Sequence, residues 1–121
     1  MANFLGLDVS TTSSKALLID HNGTVLGTAS SPHTLSSPKP LWSEQDPAQW
    51  WQAVIQSIRA VISQTGILPS EIEAVGLTGQ MHGLVLLDEH GEVLRPAILW
   101  NDQRCQAQCD EIHQRVGKER F

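Results

Sequence analysis

Positive charge is scarce in this 121-residue sequence: eight Lys and Arg stand against thirteen Asp and Glu, a net charge of −5. No basic stretch occurs, which argues against nucleic acid as a partner. Long apolar runs are also missing. None approaches the length that spans a bilayer, so no membrane partner is expected. The N-terminus lacks the charged n-region and long h-region of a signal peptide, and a cytoplasmic location follows as the expectation. Cysteine is limited to Cys105 and Cys109. A cytosolic compartment keeps such thiols reduced. On a helix the pair shares one face with Ile112 and Val116 and reads as small core residues. A metal site there would need more ligands, and His113 lies beside that stripe. The Gly-rich Lys-Ser/Thr pattern of a P-loop is absent, which excludes that class of nucleotide site.

What is present suits one small domain with a real core: 40% apolar residues and a mean hydropathy of −0.15. Residues 3–8, 15–20 and 24–30 read as three strands, the last two joined by Asn22-Gly23, a strong hairpin signal. Residues 31–45 are rich in Pro and Ser and read as loop. A helix then begins with Asp46 as N-cap, Pro47 at its first position and Gln49 completing a capping box. Trp51, Val54, Ile55, Ile58, Val61 and Ile62 supply its apolar face, and Gly66 ends it. Residues 73–79 and 83–88 read as strands, 89–92 as a turn, and 93–100 as a last strand interrupted at Pro96. Asp102 is placed to cap a final helix over 103–116. The order is βββ-α-β-β-β-α, an α/β fold whose sheet opens antiparallel and continues parallel. The chain stops at "GKERF" soon after a helical pattern, which fits a natural end or a piece of a longer protein.

The chemistry concentrates at "GLDVSTTSSKALLID", residues 6–20. Strand one ends at Asp8, and the chain turns through Ser10, Thr11, Thr12, Ser13 and Ser14. Each supplies a backbone N–H and a hydroxyl, donors that a tight turn converges on anionic oxygens. Lys15 adds a mobile cation. Asp8 would repel phosphate unless a cation lies between them, and Mg²⁺ suits that place because it takes few carboxylates and bridges to phosphate oxygens. The residues alone leave an ordinary solvated hairpin loop as an equal alternative.

Asp8 followed by "STTSSKALLID" resembles the first phosphate motif of the actin-like ATPase superfamily, and within it the FGGY carbohydrate kinases. "PLWSEQDPAQWW" (40–51), "GLTGQMHGLVLLD" (76–88) and "LRPAILWNDQR" (94–104) are similar to signatures of the xylulokinase branch, in the same order. One departure is Ser10, where the family often has Gly. The resemblance implies a ribonuclease-H-like fold, with residues 1–121 forming the N-terminal part of the first of two domains. It implies transfer of the γ-phosphoryl group of ATP to a sugar hydroxyl, with ATP and Mg²⁺ as cofactors. Asp8 would hold the metal, and Thr11, Thr12, Ser13 and Lys15 would orient the phosphates. The catalytic base, an Asp in a Gly-rich motif, is expected downstream, so no catalytic residue is assigned here and the chain alone is expected to be inactive.

Sugar contact is implied for Gln80, Met81 and His82, at a strand end between Gly79 and Gly83. Glycerol kinases carry an Arg-Glu pair where Met81-His82 stand, which points to a ketose such as D-xylulose. Trp100 could pack on a sugar face, and Asp102 could bind hydroxyls as well as cap a helix. Trp42, Trp50 and Trp51 read as packing around the first helix. The partner expected is a small sugar, with a homodimer open as an assembly. Two rival readings remain: a non-catalytic actin-like sugar- or nucleotide-binding module, and a structural domain that assembles through an apolar patch.

Overall fold

The computed structural model describes residues 2–120. Strand β1 (Asn3–Val9), β2 (Ser13–Asp20) and β3 (Val25–Pro32) form an antiparallel meander. The β2–β3 turn is set by Asp20, whose carboxylate accepts the Asn22 and Thr24 N–H groups at 2.8 and 2.9 Å. Gly23 has φ 83°, the left-handed conformation this turn requires. A two-residue strand β4 (Glu44–Gln45) lies inside the expected loop and is buried. Helix α1 (Pro47–Thr65) follows and returns the chain to β5 (Ile72–Gly79), which pairs parallel to β1. The sheet order is β3-β2-β1-β5, so the expected antiparallel-then-parallel α/β fold is borne out.

α1 forms where its signals place it. Asp46 accepts the Ala48 N–H at 2.9 Å, Pro47 opens the helix, and Gly66 (φ 70°) closes it with an N–H bond to the Ile62 carbonyl. The capping box does not form, because the Gln49 side chain accepts the Thr34 N–H at 3.1 Å instead. The packed face is also rotated from the expected one. Ala53, Ser57 and Val61 are buried, whereas Trp51 is 64% exposed. The core joins Leu5, Ala16, Leu18 and Val61, with Leu7, Ala29, Ile58 and Ile62 packed against it. Small residues let the helix sit close: the Ser57 hydroxyl donates to the Ser14 carbonyl at 2.9 Å. A Cβ on Gly27 would lie 2.7 Å from Thr65 Cγ2.

Beyond β5 the chain departs from expectation. Residues 83–88 and 93–100 do not form full strands. They make isolated bridges, Leu84 to Ile98 and Leu87 to Val93, and only β6 (Ala97–Ile98) pairs, antiparallel to β4. The predicted turn does form: Asp88 accepts the His90 and Glu92 N–H groups, and it folds the two apolar runs onto each other rather than onto the main sheet. Pro96 lacks the N–H that would extend the ladder. Helix α2 spans Gln106–Val116, its N-cap is Cys105, and no side chain caps it. Asp102 therefore does not cap this helix. α2 buries none of its residues, so Cys105, Cys109, Ile112 and Val116 are exposed and not core as expected.

Candidate functional site

The site is built where β1 turns into β2. Asp8 stands at the end of β1, directly across from Lys15 on β2 and Thr78 on β5. Ser10 Oγ donates to Asp8 Oδ2 at 2.7 Å, which orients the carboxylate. The turn itself is held from outside. Gln45 Nε2 donates to the Thr11 carbonyl at 2.6 Å, and the His33 N–H donates to the Thr12 carbonyl at 3.1 Å. In trans peptides C=O and N–H point in opposite directions. With both carbonyls turned inward, the N–H groups of Thr12 and Ser13 face the other side, away from Gln45 and His33. Neither Thr11 nor Thr12 has a positive φ. The loop's shape therefore comes from those outside bonds and not from a primed hairpin turn.

The second loop leaves β5 at Gly79. A Cβ there would meet the Val9 carbonyl oxygen at 2.9 Å, and this close approach lets the Gln80 N–H donate to Val9 O at 2.9 Å. His82 follows with φ 63°, a left-handed conformation in which His is enriched among non-Gly residues, though it still carries strain. Gln80 Oε1 accepts from Thr11 Oγ1 at 3.4 Å, and Thr11 Oγ1 accepts from Trp100 Nε1 at 3.3 Å. Asp8, Ser10, Thr11, Gln80, Met81, His82 and Trp100 thus line one cavity of about 390 Å³. A wider cleft of about 720 Å³ runs over the open face of the sheet, floored by Gly6, Leu17 and Gly76 and edged by Asp8 and Lys15. Asp8 stands where the two meet.

Not every candidate residue reaches the cavity. Thr12, Ser13 and Lys15 do not line this cavity; Lys15 lines the wider cleft beside Asp8 and forms no ion pair among the described residues. The Asp102 side chain is 1% exposed and does not line the cavity. It holds the Arg104 guanidinium through both oxygens, at 2.6 to 2.9 Å, and accepts the Ser43 N–H at 2.6 Å. The Arg104 guanidinium therefore holds the Asp102 carboxyl well below the usual carboxylate range, and the pair raises Arg104 in turn. Arg104 also bonds Glu44 at 2.6 Å and lies 3.6 Å over the Trp42 ring. This cluster ties the segment after Trp100 to β4.

The donor set suits a cation that brings most of its own ligands. Among the described residues no group of three or more His, Cys, Asp or Glu gathers in one place. Asp8 is a single carboxylate with one oxygen engaged by Ser10, flanked by hydroxyls. That fits Mg²⁺ held mainly by water and phosphate, and does not fit a structural metal.

Gln45 and His33 were not singled out from the sequence. Gln45 lies inside "PLWSEQDPAQWW", so the motif was visible, but nothing in its spacing tells which loop its amide reaches.

Residues 3–121 match the FGGY family of carbohydrate kinases, N-terminal domain. The xylulose kinase of Escherichia coli (strain K12) is 44% identical over 117 residues, covering 97% of this chain and 24% of that protein. The crystal structure of xylulose kinase from Rhodospirillum rubrum superposes with a TM-score of 0.89 at 39% identity, covering 98% of this chain and 24% of that one. That of a xyloylose kinase from Brucella ovis gives 0.88 at 45% identity, covering 93% and 24%. The chain thus spans about a quarter of the length of the relatives it matches.

Proposed function

The chain belongs to the FGGY family of carbohydrate kinases, and on that premise we propose that the protein carrying it moves the γ-phosphoryl group of ATP onto a hydroxyl of D-xylulose. Residues 1–121 serve as the N-terminal part of the first domain, and the base that takes the hydroxyl proton comes from outside them. The protein works in the cytoplasm. One observation carries the reading: Asp8, at the end of β1, shares a single cavity with Gln80, Met81, His82 and Trp100.

Phosphoryl transfer needs positioning and charge stabilisation more than covalent work. Asp8, oriented by Ser10, would hold Mg²⁺ through its second oxygen or through water. The ion supplies neutralisation of phosphate charge. The Thr12 and Ser13 N–H groups, the Thr11 hydroxyl and the Lys15 ammonium receive the β- and γ-phosphate oxygens. Gln80 and His82 hydrogen-bond the sugar, Met81 walls it, and the Trp100 indole packs against its apolar face. Asp102 acts at one remove, fixing the Trp100 segment through Arg104.

A coupled ADP-release assay on the full-length protein tests this. Turnover dependent on D-xylulose and absent with glycerol is the expected result. Binding of both ligands without transfer would instead support the non-catalytic module, and affinity for neither would end the kinase reading.

A further inference from the structure

Gln45 is 1% exposed, and its amide makes all the hydrogen bonds an amide can make. Oε1 accepts from Trp50 Nε1 at 2.9 Å and from Gln80 Nε2 at 3.1 Å. Nε2 donates to the Thr11 carbonyl at 2.6 Å and lies 3.3 Å from His33 Nδ1. The orientation is not arbitrary. Indole Nε1 can only donate and a carbonyl can only accept, so the amide cannot be flipped. With the amide so oriented, the Gln45 NH₂ faces His33 Nδ1, which then serves as the acceptor of that contact.

Two loops of different origin are therefore fastened to one amide. The β1–β2 turn hangs from Nε2 through Thr11, and the loop after β5 hangs from Oε1 through Gln80. Trp50, in the first turn of α1, braces the amide through its indole N–H. Gln80 and Thr11 also meet directly, and Trp100 reaches Thr11, but those bonds are long, at 3.4 and 3.3 Å. The shortest of these contacts is the one from Gln45 Nε2 to the Thr11 carbonyl. A buried, fully satisfied amide is stiff because losing any partner leaves a polar group without water.

We propose that Gln45 is a positioning residue that couples the phosphate-facing turn to the sugar-facing loop, so that seating the sugar against Gln80 and Trp100 pre-orders the turn that receives nucleotide. This rests on the kinase reading above. Gln45 touches neither ligand. It acts by making the Thr11 and Gln80 positions interdependent.

Calorimetry on the full-length protein tests it. The affinity for a non-hydrolysable ATP analogue with Mg²⁺ is measured with and without saturating D-xylulose. In the wild type the sugar tightens the nucleotide by roughly fivefold or more. In Gln45→Met, which keeps length and removes every polar contact, each ligand alone still binds and that ratio falls to about one. A purely structural role would lower thermal stability and leave the ratio intact. If Gln45→Met does not fold, Trp50→Phe, which removes one of the four contacts, should at least halve the ratio. An unchanged ratio in either folded variant overturns the inference, as does a wild-type ratio of one with both ligands bound. A wild type that binds neither ligand removes the kinase reading, and the inference with it.

Discussion

Asp8 is where charge decides the most. Its carboxylate sits between a turn of donors and a cavity of about 390 Å³, so its loss should be felt in turnover more than in binding. Asp8→Ala in the full-length protein is expected to lower kcat by about 100-fold or more while D-xylulose binding survives; steady-state kinetics with calorimetry checks the split. His33 and Asp102 make predictions of another kind. Burial pushes the His33 imidazolium down, against a smaller opposing effect of the Ser13 and Thr11 carbonyls. A histidine depressed in the folded state loses stability as pH falls, because the unfolded chain takes up its proton first, near pH 6.5. Thermal midpoints should therefore decline below about pH 6.5, and His33→Gln should flatten that decline. Asp102 is depressed by Arg104, so its contribution is fully present above the ordinary carboxylate value and is lost at more acidic pH. Asp102→Asn should remove this lower-pH step in the same melting curves.

At the scale of elements, α1 and the turn it supports matter most. Gly27 on β3 lies under the last turns of α1, with Thr65 Cγ2 2.7 Å and Val61 Cγ2 3.3 Å from where a Cβ would be. Gly27→Ala should push the helix off the sheet and cost about 1–3 kcal/mol in chemical denaturation. The local signals of α1 were strong enough to read from sequence: Asp46, Pro47 and Gly66 act within a few residues of themselves. The phase of its packed face was less legible. Trp51 looked like core because it is large and apolar, but the sheet below presents Ala16, Ala29 and Gly27, which favours Ala53, Ser57 and Val61 at the contact. The runs at 83–88 and 93–100 have the composition of strands. They remain an arm because their turn pairs them with each other.

For the molecule as a whole, a span of about a quarter of its relatives sets the expectation. The 121-residue chain alone should release no ADP in a sugar-dependent manner, since no residue in it is assigned to take the hydroxyl proton; turnover by the purified chain would refute this. α1 covers β2 and β3 but leaves Val75 and Leu77 of β5 58% and 75% exposed. The sequence by itself determined the meander and α1 with its end caps, because each rests on interactions between near neighbours along the chain; it located the acid-then-hydroxyl turn, but the shape of that turn comes from Gln45 and His33. Only the tertiary structure decided that Thr11 meets Gln45, Gln80 and Trp100, which lie 34, 69 and 89 positions away. It also decided that Asp102 serves Arg104 rather than a helix end. A side-chain amide or carboxylate has several partners within its chemical reach, and which one it takes depends on where the backbone brings distant segments together.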